Sequence, residues 1–155
     1  MKITILLHST TGNTKLVTRY AAAKLREAGH ECTIHDIVKK KDPPDLSDVD
    51  LLGVAAPTMY FRATFAMERF VARIANLDGG LKPAFQLATC MGEPGAHFAL
   101  MAELLRHKGW VTVSAHWVLG PSNWPVHIYN VRQLESTTAV GTWLSHLSPK
   151  LRPLW

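Results

Sequence analysis

His8-Ser9-Thr10-Thr11-Gly12-Asn13-Thr14 lies between an apolar stretch containing Ile3, Ile5, Leu6 and Leu7 and a segment with Leu16, Val17, Tyr20 and Ala21 at helical spacing. The expected succession is strand, hydroxyl-rich loop and helix N-terminus. The first backbone N–H groups of a helix have no intrahelical partner and carry the positive end of the macrodipole, so one phosphate satisfies several of them at once. Ser9, Thr10, Thr11 and Thr14 add hydroxyl donors, and Gly12 lets the backbone turn tightly beneath the ligand. The loop has no lysine, and neither G-x-x-x-x-G-K-[ST] nor G-x-G-x-x-G occurs, which argues against a nucleoside triphosphate or a dinucleotide. It suits a terminal phosphate monoester. The plainer alternative is that Thr14 or Asn13 caps the helix and the other hydroxyls belong to a solvated turn. His8, at the edge of the loop, is a candidate cation for the phosphate.

Ser9-Thr10-Thr11-Gly12-Asn13-Thr14 resembles the FMN phosphate loop of flavodoxins, in residue type and in its place after the first strand. The resemblance implies a flavodoxin-like fold, a noncovalently held FMN and electron transfer.

The rest of the chain is compatible with that expectation. Its 155 residues match the usual size of one domain, so residues 1–155 are expected to form a single flavodoxin-like domain. A hydrophobic fraction of 47% and a charged fraction of 19% are those of a globular protein. No apolar run approaches a membrane span, and Met1-Lys2 leads straight into the first strand without a signal-peptide pattern, so a cytoplasmic location is expected. Cys32 and Cys90 have no C-x-x-C or zinc spacing and are expected to be reduced; the eight histidines show no H-x-x-x-H or H-E-x-x-H pairing, so no metal is expected. The net charge of +5, with pI near 9.4, departs from the usual acidity of flavodoxins. Basic charge steers acidic partners, yet no aromatic-interleaved basic face of the nucleic-acid type is present. Redox partner proteins, acidic or ferredoxin-like, are therefore expected, and nucleic acid is not. Oligomeric state is not legible.

Along the chain, a helix over residues 14–28 ends at Gly29, a short edge strand covers 31–36, and a nearly all-apolar strand covers 49–56. A helix over 63–75 offers Phe65, Phe70, Val71 and Ile74 for burial. Strand 84–89, a helix over 96–108, strand 110–118 and a last helix over 129–147 complete an α/β pattern. Five strands alternating with helices predict an open parallel sheet, doubly wound in the order 2-1-3-4-5 within three α/β/α layers. Ligands of such sheets sit outside the carboxyl ends of the strands where the order reverses, so the loops after the first, third and fourth strands should converge.

The third strand ends at Pro57-Thr58-Met59-Tyr60-Phe61, similar to the Pro-Thr-x-Tyr run of flavodoxin-like proteins. By resemblance Tyr60 stacks on the isoalloxazine and Met59 packs beside it; alternatively Met59, Tyr60 and Phe61 only cover the sheet edge. The fourth strand ends at Thr89 and leads into Cys90-Met91-Gly92-Glu93-Pro94-Gly95-Ala96, whose glycines allow backbone N–H groups to approach a flat ligand. In the family this backbone meets the pyrimidine edge of the flavin, so Thr89, Cys90, Met91, Gly92 and Gly95 join the expected cofactor set. The loop lacks the aromatic residue often found there, so the outer face of the ring is left to Met91, to His97, or open. Cys90 reads as a small residue closing a buried strand, since no base pairs with it, and Glu93 as an exposed loop carboxylate. Gly120-Pro121-Ser122-Asn123-Trp124 resembles a stretch of flavodoxin domains fused to ferredoxin domains; Trp124 covers the flavin edge, meets a partner, or pins its loop to the core.

The expected function is an FMN-binding electron carrier with no catalytic acid, base or nucleophile. The alternatives are an FMN-dependent NAD(P)H:acceptor oxidoreductase on the same fold and a binding module that has lost the flavin.

Overall fold

Apolar runs that need cover on both faces become the inner strands of one sheet. The computed structural model describes residues 1–120. Its elements are β1 (Lys2–Leu7), α1 (Asn13–Glu27), β2 (Glu31–Asp36), β3 (Leu51–Met59), β4 (Arg62–Ala63), α2 (Phe65–Arg73), β5 (Lys82–Cys90), α3 (His97–His107) and β6 (Trp110–Leu119). The expectations for Trp124, the last helix and the tail 150–155 lie outside the described residues.

The sheet runs β2-β1-β3-β5-β6, every neighbouring pair parallel. This is the expected doubly wound order, with the two-residue β4 added as an antiparallel partner to the end of β3. Its order reverses beside β1, which places the ends of β1 and β3 next to each other and opens the crevice for a ligand. Near the middle, Gly53 lies between Ile5 and Phe85 in register. A Cβ there would meet Phe85 Cζ at 2.6 Å and Ile5 Cγ1 at 2.9 Å, so the missing side chain makes room for the ring.

Helices α2 and α3 cover one face, where Leu6, Leu52, Val54, Ala84 and Trp110 meet Met67, Phe70, Val71, Met101 and Leu105. Each fully buried side chain of this size stabilises by roughly 1.5–3 kcal/mol. Helix α1 lies on the other face, over a smaller cluster of Ile3, Ile5, Leu7, Ala22, Cys32 and Ala55.

Three local expectations are corrected. Phe65 is exposed, because the buried stripe of α2 runs through Met67, Phe70 and Val71 to Ile74, at i, i+3, i+4 and i+7, and Phe65 falls outside it. Helix α1 buries Thr14, Thr18 and Ala22, small residues one turn apart, while Tyr20 stays exposed. Strand β3 continues to Met59, so Pro57 and Thr58 belong to the strand itself. Among the described residues no helix is long and apolar enough to cross a membrane.

Candidate functional site

The ends of β1, β3 and β5 open into one cavity of about 510 Å³. Ser9, Thr10, Thr11, Asn13 and Thr14 line it from the first loop, Pro57, Thr58, Met59, Tyr60 and Phe61 from the second, and Thr89, Cys90, Met91 and Gly92 from the third. Gly12 and Gly95 belong to these loops without lining the cavity. Glu93 and Gly120 line it as well, outside the expected set. Gly120 is brought there by its N–H, which donates to the Cys90 carbonyl at 2.8 Å.

In the first loop, Gly12 occupies the N-cap position of α1 at φ 102°, a left-handed conformation that suits glycine. It offers no capping side chain, and the first turn carries no acidic residue. Ser9 reaches over instead: its Oγ accepts from the N–H groups of Gly12 and Lys15, each at 3.2 Å. Asn13 and Thr14, the first residues of α1, both line the cavity. The first amides of a helix have no intrahelical partner, and at its positive end they form an anion site. The side chain of Thr14 plays another part, since it is buried and its Oγ1 lies 2.8 Å from Thr89 Oγ1. That bond ties the first loop to β5. His8 faces away from this cavity, lining a neighbouring one, and its Nδ1 shares a 2.9 Å hydrogen bond with Thr64 Oγ1. Burial lowers its pKa despite the opposing charge of Asp36, so it stands as a neutral ring at pH 7, not a cation for a phosphate.

The second loop is a two-residue hairpin turn. Met59 pairs with Arg62 across it, and both central residues have positive φ, Tyr60 at 52° and Phe61 at 61°. Such turns ordinarily take Asn-Gly. A non-glycine residue held left-handed costs on the order of 1–3 kcal/mol, so the surroundings must impose this shape. Two supports are visible. The Arg62 guanidinium grips Glu68 of α2 through two bonds of 2.9 Å. Gly95, at φ 57°, packs directly on Phe61: a Cβ on it would lie 2.6 Å from Phe61 Cβ and 3.1 Å from its Cα. The result is a pair of aromatic side chains, 75% and 65% exposed, held at the mouth of the cavity.

Beneath that turn lies His97, the first residue of α3, only 1% exposed. Its Nδ1 and Thr58 Oγ1 are 2.9 Å apart, and burial pulls its pKa down to about 4. His97 is therefore a neutral prop behind Thr58 and not a cover for the outer face of a ring. In the third loop the Cys90 thiol donates to the Gly92 carbonyl at 3.3 Å, and burial raises its pKa; it is a structural thiol. The only charged side chain lining the cavity among the described residues is Glu93. The basic side chains of the described residues thus lie elsewhere.

No family model matches the sequence, and no curated protein matches it. Solved structures do. Flavodoxin 1 from Bacillus cereus superimposes with a TM-score of 0.62, covering 96% of this chain and 100% of its own at 18% identity. The fold is that of the flavodoxins. The NAD(P)H:quinone oxidoreductase from Methanothermobacter marburgensis is similar at a TM-score of 0.63, 13% identity, 86% of this chain and 94% of its own. A flavoprotein in complex with FMN from Lactobacillus acidophilus reaches 0.58 at 13% identity, over 86% of this chain and 98% of its own. This flavodoxin-like fold carries its own cavity at the strand ends where the fold turns.

Proposed function

We propose that this chain binds FMN noncovalently and serves as an electron carrier. The observation that carries the reading is the cavity itself, where the N-terminus of α1 and the Ser9, Thr10 and Thr11 hydroxyl groups share one space with Met59, Tyr60 and the β5 loop. Its volume of about 510 Å³ lies within the range of cofactor sites. Ser9, Thr10, Thr11, Asn13 and the first amides of α1 hold the phosphate; Thr14 braces the loop from below. Tyr60 and Met59 lie along the ring, and the backbone of residues 89–92 meets its polar edge. Bound FMN supplies the redox chemistry, while the chain binds it, orients it and tunes its potential. Glu93 beside the site disfavours negative charge on the reduced ring, which lowers the potential despite the net charge of +5. The exposed Tyr60, Phe61 and Met91 around the mouth give a redox partner an apolar contact, and the basic surface favours an acidic one. Free Cys32 and Cys90 suit a reducing, cytoplasmic setting.

A second reading is an FMN-dependent NAD(P)H:acceptor oxidoreductase. Residues 90–95 present no aromatic ring, and Met91 is exposed there, which leaves room for a nicotinamide against the flavin. The likeness to an NAD(P)H:quinone oxidoreductase supports it at the level of fold.

The test is a visible spectrum of the purified protein before and after adding FMN, then anaerobic stepwise reduction and an assay for NAD(P)H oxidation. Two resolved one-electron steps without NAD(P)H turnover support the carrier. Steady turnover selects the oxidoreductase, and failure to take up FMN overturns both.

A further inference from the structure

Thr10 stands between two cavities, for it also lines a second one of about 720 Å³ on the β2 side of the first loop. The second cavity lies between α2 and the connection that follows β2. Its apolar wall comes from Ile37, Val38 and Phe70, and Lys41, Arg69 and Arg73 stand around it. No carboxylate lines it among the described residues.

These walls are held in place. The Arg73 guanidinium donates to the Lys41 carbonyl at 2.7 Å and lies over the Phe70 ring at 5.4 Å, which fastens the connection to α2. Neither Lys41 nor Arg69 has an ion-pair partner among the described residues. Asp36, the nearby acid that acts on His8, accepts from the Val38 N–H at 3.1 Å and lies 3.9 Å from Lys15 Nζ. It pairs with neither Lys41 nor Arg69. An apolar wall favours an apolar body, and cations without an ion-pair partner beside it favour an anionic head.

We propose that this second cavity is a binding site for a small amphiphilic organic anion, an aromatic or alkyl body carrying one carboxylate or phosphate. The apolar body lies against Ile37, Val38 and Phe70, and the anionic head meets Lys41 and Arg69. The site is independent of the flavin cavity, and the proposal does not rest on FMN binding.

The experiment titrates the full chain, without added FMN, whose own aromatic phosphate would compete, with the fluorescent anion 1-anilinonaphthalene-8-sulfonate. Competition follows with 4-phenylbutyrate, phenyl phosphate and the neutral 4-phenylbutanol. One saturable site is expected, displaced by an anion at concentrations where the alcohol has no effect; whether the carboxylate or the phosphate competes better identifies the head group. The Lys41→Gln/Arg69→Gln pair, on exposed side chains, should weaken binding roughly tenfold, as loss of charge-assisted contacts requires. Ala66→Trp, at an exposed position on the cavity wall, should abolish binding by filling the space. None of these three residues lines the flavin cavity, so probe bound there would ignore them. No saturable binding, equal displacement by the alcohol, or wild-type affinity in both variants with unchanged thermal unfolding would overturn the proposal.

Discussion

Residues 9–12 take their shape with one positive φ, at Gly12, where no side chain resists it; the turn after β3 holds two aromatic residues, Tyr60 and Phe61, in that same left-handed region. Both border one cavity. The first loop presents backbone amides, which any chain supplies, and needs only a helix N-terminus to aim them. The turn presents aromatic side chains, and these are placed by strain that His97, Gly95 and the Arg62–Glu68 pair must oppose. Rigid support is therefore concentrated behind the turn, and damage there should cost more than damage to the loop.

The largest effect is expected at His97. Its folded pKa of about 4 lies below the ordinary value of 6.5, so the unfolded chain binds the extra proton first. Its contribution to stability is complete above pH 6.5 and is lost as pH falls toward 4, by roughly 2–3 kcal/mol at pH 4.5. Burial of His8 acts in the same direction. Unfolding free energies from urea titrations at pH 7 and pH 4.5 should show that loss in the wild type and much less of it in His97→Gln. Equal losses in both proteins would remove His97 from the account. Next comes Gly95→Ala, whose Cβ strikes Phe61 at 2.6 Å. It should destabilise by about 2 kcal/mol. Phe61→Gly relieves the strained turn and empties that contact, so the double variant Gly95→Ala/Phe61→Gly should recover most of the loss. Simple additivity in that cycle would mean that Gly95 does not act through Phe61.

The same contrast explains what the sequence could reveal. The first loop was legible because its signal is local: hydroxyls and one glycine between an apolar strand and a helical pattern. The parallel, doubly wound sheet followed from alternation and from the handedness of crossovers, and its particular order from the resemblance to flavodoxins. The second loop was legible as a site but its hairpin form was not, because Tyr-Phe is no turn dipeptide and only the pairing of Met59 with Arg62 shows it. His97 meets Thr58 from 39 residues away and Thr14 meets Thr89 from 75, and no local pattern carries such contacts. The buried stripe of α1 escaped notice for a related reason, since Thr14 and Thr18 read as polar although both are buried. Net charge gave a sign but no location; once folded, Lys41, Arg69 and Arg73 gather beside the second cavity and leave the first with Glu93.

The two hydroxyl anchors of the first loop differ in burial: Thr14 is buried and Ser9 is partly exposed. Thr14→Val keeps the shape but leaves Thr89 Oγ1 without its partner in a buried setting, which should cost about 1–2 kcal/mol. Thr14→Ser, which retains the hydroxyl, should lose less. Ser9→Ala frees the N–H groups of Gly12 and Lys15, but these lie nearer to water, so the loss should be smaller, about 0.5–1 kcal/mol. Thermal or urea unfolding of the protein without added FMN measures all three. For FMN affinity the ranking should invert: Ser9 lies among the phosphate donors, whereas Thr14 acts only by bracing them. Ser9→Ala should therefore weaken FMN binding more than Thr14→Ser does, measured by flavin fluorescence quenching. The opposite ranking would mean that the loop is positioned mainly from β5 and that its own hydroxyls are incidental.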